Sequence, residues 1–255
     1  MAAVRPYYAP GSLSAAFYDV VTAADARLSG DVEVYAGLAA PGGTVLELGA
    51  GSGRVTAALA KRGLAVTGVD LSRSMLDQAQ ARRGALPAEV AGRIELKLAD
   101  MTSLDLKRSF DLVACPYFTL AHVPVGAAWR NTFATAARHL APGGLFAVHL
   151  PLLALMRQAG APDPNAVVLD EPLADGGRLR LRVAARAFKA SVGRLEQVID
   201  YEQLGAQNRP VRRSLERLTY YMADPAPFAA AAGLVPDRAP IDVGGVGEIH
   251  VFRKA

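Results

Sequence analysis

Gly49, Gly51 and Gly53 occupy alternate positions between an apolar run, Val45 to Leu48, and a helical pattern, Val55 to Arg62. Glycines at such a junction let the backbone turn sharply and lie close against a ligand. The helix N-terminus beyond them offers N–H groups and a partial positive charge. The spacing is not that of the dinucleotide fingerprint, whose third glycine comes three places after the second; Arg54 holds that place here. Nor does a Lys-Ser or Lys-Thr pair follow, as a phosphate-binding P-loop requires. Asp70 stands at the tip of a second apolar run, Val66 to Val69, about 20 residues after the first glycine. A carboxylate there can accept hydrogen bonds from both hydroxyls of a ribose. Asp100, beside Met101, falls just past a third run. Its carboxylate can take an adenine amino group while the Met101 N–H reaches a ring nitrogen.

Two histidines fall where the ends of later strands are expected. His122 lies just beyond Phe110 to Cys115, and His149 near the end of Leu145 to Leu150. Ligands bind outside the carboxyl ends of strands in open α/β sheets, so both are candidates for contacting substrate or taking a proton. Each is also read as a hydrogen-bonded structural histidine. His139 and His250 are read as surface or core. No two of the four histidines have zinc-like spacing, Cys115 is the only cysteine, and no metal is expected. Arg178, Arg180, Arg182 and Arg186 could bind phosphates, but Glu196, Asp200 and Glu202 alternate on the neighbouring segment. A hairpin about Val192-Gly193 places these charges opposite one another. Nucleic acid is therefore not the expected partner.

The elements needed to hold these groups follow from periodicity. Ser12 to Leu38 reads as helix, and Pro41-Gly42-Gly43 ends it. Strands are expected at 44–48, 64–69, 93–98, 110–115 and 145–150, with helices at 55–62, 74–83 and 125–140 and Ser72 as an N-cap. Apolar strands alternating with helices make a parallel sheet covered on both faces. The rhythm changes at Pro151. A loop-rich stretch with a short helix at 152–159 runs to Pro172, and three strands follow at 178–188, 195–204 and 214–222. A helix at 225–232, N-capped by Asp224, and strands at 234–242 and 248–253 close the chain. Residues 1–150 and 223–255 are thus expected to form a binding core, with 151–222 as an antiparallel insert. At 255 residues and a net charge of +4, the composition is that of a globular protein with a mildly basic surface. No segment approaches the ~20 apolar residues of a membrane span, and Met1 to Phe17 is not a signal peptide. A cytoplasmic setting is expected.

The segments VLELGAGSGR (45–54), GVDLSRSML, LADM, FDLVACPYFTLAHV and HLAPGGLFAV, in that order, resemble the class I S-adenosylmethionine-dependent methyltransferases. Acidic-x-G-x-G-x-G, led by Glu47, is that family's loop. The resemblance is good over residues 12 to 150 and looser over 223 to 255. It implies a doubly wound, Rossmann-like, seven-stranded α/β sheet with an N-terminal lid helix and an antiparallel β insert. It implies S-adenosylmethionine as cofactor and S-adenosylhomocysteine as product. Gly49, Ala50, Gly51 and Gly53 would line the methionyl part, and Glu47 and Arg54 would be among the cofactor-binding residues. Asp70 would hold the ribose, Leu71 and Met75 would lie beside the nucleoside, and Asp100 and Met101 would frame the adenine edge. Cys115, Pro116 and Tyr117 would border the sulfonium, and Tyr18 would close over the methionine end. Members that methylate planar amino groups carry Asn/Asp-Pro-Pro-Tyr/Phe after the fourth strand. Ala114-Cys115-Pro116-Tyr117 lacks that acceptor, which argues against DNA adenine or glutamine methylation. The expected activity is methyl transfer to an N or O atom of a small molecule of natural-product or metabolite type. An RNA or protein methyltransferase, and a cofactor-binding member that is a cyclase or regulatory partner, stand as alternatives. The insert either encloses substrate or forms a homodimer.

Overall fold

A computed structural model describes residues 3–25, 30–158 and 160–255. The strands are β1 (Val4–Pro6), β2 (Thr44–Leu48), β3 (Ala65–Asp70), β4 (Ile94–Leu98), β5 (Phe110–Cys115), β6 (Leu140–Pro151) and β7 (Val167–Pro172). They continue with β8 (Arg178–Lys189), β9 (Arg194–Leu204), β10 (Pro210–Tyr221), β11 (Leu234–Pro236), β12 (Ile241–Val243) and β13 (Gly247–Lys254). The helices are α1 (Leu13–Ala16), α2 (Tyr18–Ala24), α3 (Asp31–Leu38), α4 (Arg54–Lys61) and α5 (Arg73–Gly84). After them come α6 (Ala88–Ala91), α7 (Ala127–His139), α8 (Leu153–Gln158) and α9 (Ala226–Ala231). The chain forms two compact units: Arg27–Leu152 with Met222–Ala255, and Met1–Ala26 with Leu153–Tyr221.

The larger unit is a doubly wound α/β sheet. Strands β4, β3, β2, β5 and β6 run parallel in that order, and β13 pairs antiparallel with β6. Winding reverses between β2 and β5, so the crevice at their carboxyl ends is the topological switch point. The central strands β2, β3 and β5 are apolar enough to be buried on both faces. Leu46, Leu48, Val113, Phe146 and Val148 meet Trp129 and Phe133 of α7 on one side. Val45, Leu112, Ala114 and Ala147 meet Tyr35 of α3 and Val55 and Leu59 of α4 on the other. Seven strands are expected from sequence; eight are present among the described residues. Val235 of β11 and Asp242 of β12 both pair with β13, because the segment between Pro236 and Pro240 interrupts one long edge strand.

The smaller unit is a five-stranded sheet in the order β1-β10-β9-β8-β7. Its apolar face carries Leu179, Leu181, Val183, Ile199 and Tyr201, packed with Leu13, Phe17 and Val21. The start of the chain goes with this sheet and not with the α/β core, which corrects the expected boundary. Two contacts account for it. β1 adds to β10 in parallel, pairing Arg5 with Glu216. The buried Glu216 carboxylate accepts the Leu13 N–H at 2.7 Å and the Ser14 N–H at 3.1 Å, satisfying orphan donors at the start of α1. The expected single helix over 12–38 is broken after Ala16 and after Ala24, and its residues 26–29 lie outside the described residues. The last residue of the expected 152–159 helix, Ala159, lies outside them too. The stretch read as loop-rich contains β7, which pairs Asp170 with Arg180 and Glu171 with Leu179.

The β8–β9 hairpin sets Arg180 opposite Glu202 and Arg182 opposite Asp200. Arg182 reaches Glu202 at 3.2 Å, and Arg213 on β10 holds Asp200 through two bonds of 2.8 Å. A bulge between Val183 and Ala185 shifts the far half of the hairpin, so Arg186 faces Gln197 and Glu196 pairs with Arg194. Charges of opposite sign on adjacent strands neutralise this face and leave few arginines for phosphate.

Candidate cofactor site

The glycine loop leaves the end of β2 and enters α4. Gly49, Gly51 and Gly53 have φ of +77°, +55° and +77°. That left-handed region disfavours side chains, which is why alternate glycines stand here. The loop spends its own N–H groups on holding this shape. Those of Gly49 and Ala50 donate to the Val69 carbonyl at 2.9 Å, and that of Gly53 to Ala50 at 2.9 Å. The Gly51 N–H donates to Asp70 Oδ2 at 2.8 Å. The loop therefore offers a side-chain-free surface, where its spacing suggests a row of free donors. Gly53 also lets α5 approach α4, since a Cβ there would stand 3.0 Å from Ala79 Cβ.

Asp70 closes the other side of the crevice. Its Oδ1 accepts the Ser72 N–H at 2.8 Å while Oδ2 takes that of Gly51. The Leu71 N–H also bears on this carboxylate, and the acceptor capacity that remains suits a ribose hydroxyl. Burial raises the Asp70 pKa above its ordinary value. The next residue, Leu71, is 73% exposed at the strand tip, an apolar surface beside a polar one. Met75 is buried in α5, with its N–H facing the Ser72 hydroxyl at 3.4 Å. Asp100 is exposed beyond β4, and its Oδ1 caps a turn by accepting from the Thr102 N–H and hydroxyl, both at 2.8 Å. Met101 beside it is half-buried. These features fit an adenosyl group: an apolar strip, a carboxylate with open lone pairs, and a loop without side chains.

Beneath the loop lie charged groups with structural roles. Arg54 donates two hydrogen bonds to the buried Asp31 carboxylate, one of 3.0 Å. That engagement anchors α3 to α4 and gives the Arg54 side chain a partner within the protein. Glu47 is buried, its Oε2 accepts from the Thr56 hydroxyl, and desolvation pushes its carboxyl up to about 8. An unfolded glutamate titrates near 4.5. Between these values the folded state holds a proton that the unfolded state lacks, so stability falls as pH rises through the window. Glu47→Gln keeps an acceptor for Thr56 and removes the titration. Thermal melts across pH 5 to 8 are expected to show a flatter decline for this variant, recovering up to roughly 4 kcal/mol at the alkaline end. An unaltered pH slope would place the titrating group elsewhere.

The tip of β5 is tightly built. Cys115 and Pro116 are buried, and Cys115 is pushed up to about 12 by burial, which removes it as a nucleophile. Tyr117 and Phe118 both adopt left-handed backbone, with φ of +47° and +60°. The corner then delivers Thr119 onto Gly49: a Cβ at Gly49 would lie 2.2 Å from Thr119 Cγ2. Thr119 and Phe118 are not legible as site residues from sequence, because nothing in their spacing shows that the corner folds back over the loop. His122 ends the short helical turn that follows, and desolvation pushes its ring down to about 4. His149 is not at an open mouth. Its ring is fully buried beside Phe118, with ring centroids 4.6 Å apart, and is likewise pushed down to about 4 by burial. Alternation along β6 explains this: His149 shares a face with Ala147 and faces the α3–α4 layer. His139 is a structural histidine, with Nε2 accepting the Leu106 N–H at 2.9 Å and Nδ1 2.7 Å from the Thr135 carbonyl. Tyr18 belongs to the smaller unit, where its ring meets Tyr8 edge-on at 5.7 Å.

Comparison with known proteins agrees with this geometry. A sequence model of the methyltransferase domain matches residues 45–144, from β2 to the start of β6. A methyltransferase of Geobacillus sp. (strain WCH70) is 37% identical over 107 residues, 41% of this chain and 42% of the relative. The matched part thus spans less than half the length of that curated relative. The CcbJ methyltransferase from Streptomyces caelestis superposes with a TM-score of 0.72 at 25% identity, covering 91% of this chain and 98% of that one. The sugar N-methyltransferase KedS8 from Streptoalloteichus sp. superposes at 0.72 with 20% identity, over 100% and 99% of the two chains. Residues 45–144 thus carry a methyltransferase domain, and the loop, the carboxylate at the tip of β3 and the doubly wound sheet make the chain similar to the class I S-adenosylmethionine-dependent methyltransferases.

Proposed function

We propose that this chain transfers the methyl group of S-adenosylmethionine to an N or O atom of a small molecule. The observation that carries the reading is the junction of Gly51 with Asp70, which joins the side-chain-free loop and the ribose-type carboxylate into one crevice at the switch point. When bound, the cofactor supplies a methyl carbon on a sulfonium, whose leaving group is a neutral thioether. No acid is then needed from the protein. The residues must align an acceptor with that carbon and keep water out, and alignment alone is worth up to ~10 kcal/mol.

An amine acceptor is favoured over a hydroxyl. His149 is buried, and both His149 and His122 sit at about 4, so neither binds a proton strongly enough to help ionise an alcohol. A neutral amine needs no such help. The sugar amine substrate class of the KedS8 neighbour is consistent with this choice. The paired arginines of β8 and the absence of an Asn/Asp acceptor after β5 support a small molecule over a nucleic acid. Incubation with methyl-labelled cofactor and a panel of amino sugars, other amines and matched alcohols tests the proposal. Label is expected in an amine. Label only in RNA or protein, or cofactor binding without any methylated product, would overturn it.

A further inference from the structure

We propose that His149 is a positioning residue: its ring supports the left-handed corner at Tyr117 and Phe118, and through Thr119 it sets the wall of the cofactor groove against Gly49. The inference rests on the cofactor groove described above.

Four observations converge. The His149 imidazole lies under the Phe118 ring, tilted by 59° at 4.6 Å between centroids. Gly247 at the start of β13 abuts the edges of both rings. A Cβ there would come within 2.5 Å of Phe118 Cε1 and 2.6 Å of His149 Nε2. Backbone strain does not demand a glycine at 247, since its φ is not positive; the two rings and the Leu150 carbonyl, 2.8 Å from such a Cβ, do. Consecutive left-handed residues at Tyr117 and Phe118 cost on the order of 1 kcal/mol each and persist only when neighbours over-determine them. Constraints here include the Phe118 contact with His149, the stacking of Tyr117 on Phe118 at 5.7 Å, the Ala121 N–H on the Phe118 carbonyl at 2.9 Å, and the Thr119 N–H on the Pro116 carbonyl at 3.1 Å. Finally, Thr119 leaves no room for a Cβ at Gly49, so a shift of the corner passes directly to the loop.

The role is steric. Neither ring nitrogen of His149 has a hydrogen-bond partner among the described residues, so the ring acts here by its volume. A side chain of similar volume without proton chemistry should therefore replace it. Calorimetry with S-adenosylhomocysteine, run well below the melting temperature, separates the possibilities. The native protein must first bind this probe; failure there would count against the cofactor site itself. His149→Ala, which removes the support, is expected to weaken binding about tenfold. His149→Leu is expected to restore affinity to within threefold of the native value. Gly247→Ala, which crowds both rings and the Leu150 carbonyl, is expected to weaken binding by a similar factor and serves if the alanine variant does not fold. Two results would overturn the proposal. One is a lower melting temperature for His149→Ala or Gly247→Ala with unchanged affinity, the mark of a purely structural residue. The other is His149→Leu binding normally while kcat collapses as in His149→Ala, the mark of an imidazole acting on substrate.

Discussion

Asp70→Ala is expected to weaken binding of S-adenosylmethionine and S-adenosylhomocysteine by about 100-fold, and by no less than tenfold. The carboxylate has two roles that alanine abandons together. Its oxygens accept the Gly51 and Ser72 N–H groups at 2.8 Å, which fixes the loop on one side and the start of α5 on the other. In the proposed reading its remaining acceptor capacity takes the ribose hydroxyls. A hydrogen bond to a charged group contributes about 1.5–3 kcal/mol, so losing even one ribose contact costs about tenfold, and losing two costs about 100-fold. Asp70→Asn is not a mild substitute. Its amide NH2 must face the N–H of either Gly51 or Ser72, donor against donor, and it is expected to lose at least tenfold as well. Acid should imitate the mutation. Because burial raises the Asp70 pKa, cofactor affinity in the native protein is expected to fall on acidification sooner than an ordinary aspartate would allow. Titration calorimetry over a pH series measures all three effects, and an unchanged affinity in Asp70→Ala would remove the ribose assignment.

The second large effect belongs to Gly49. An alanine Cβ would stand 2.2 Å from Thr119 Cγ2, 2.8 Å from its Oγ1 and 3.1 Å from its Cβ. The backbone there also has φ +77°, which costs a side chain about 1–2 kcal/mol. Overpacking adds roughly 1–3 kcal/mol, so Gly49→Ala is expected to lose about 2–4 kcal/mol of stability. Its effect on function should be larger. Relief of the clash moves either the loop or the 117–119 corner, the two walls of the groove, and cofactor affinity is expected to fall more than 100-fold. Thr119→Ala in the Gly49→Ala background removes the two closest contacts, leaving the 3.1 Å approach and the positive φ. The double variant should recover part of the stability and part of the affinity, a coupling that a thermodynamic cycle measures directly. Simple additivity of the two substitutions would mean that the corner and the loop do not meet in solution.

Much of this is legible in the sequence because it is local. Glycine spacing, an acid at a strand tip and apolar strands alternating with helices are short-range signals, and they place the loop, Asp70 and the parallel sheet correctly. The Arg and Glu alternation likewise foretells the charge pairing of β8 and β9. The expectations that the structure changes all depend on groups far apart in the chain. Arg54 looks available until Asp31, on another helix, takes it. His149 sits at a strand end, but alternation along β6 turns it toward the α3–α4 layer, and Phe118 from a distant segment covers it. The N-terminal segment precedes the α/β core in the chain, whereas β1 pairs with β10, some two hundred residues away. Periodicity cannot show the breaks in the first helix or the presence of β7, since short strands at a sheet edge carry little pattern of their own.

The amino-acid sequence by itself determined the class of sheet, the cofactor loop and the acid that answers it, because each requires only a residue type at a fixed local spacing. The tertiary structure alone decided which polar groups face the crevice and which are consumed beneath it. Thr119 over Gly49, His149 under Phe118 and Asp31 on Arg54 are contacts between distant segments. Burial and pairing are properties of the folded chain, and no spacing along the sequence encodes them.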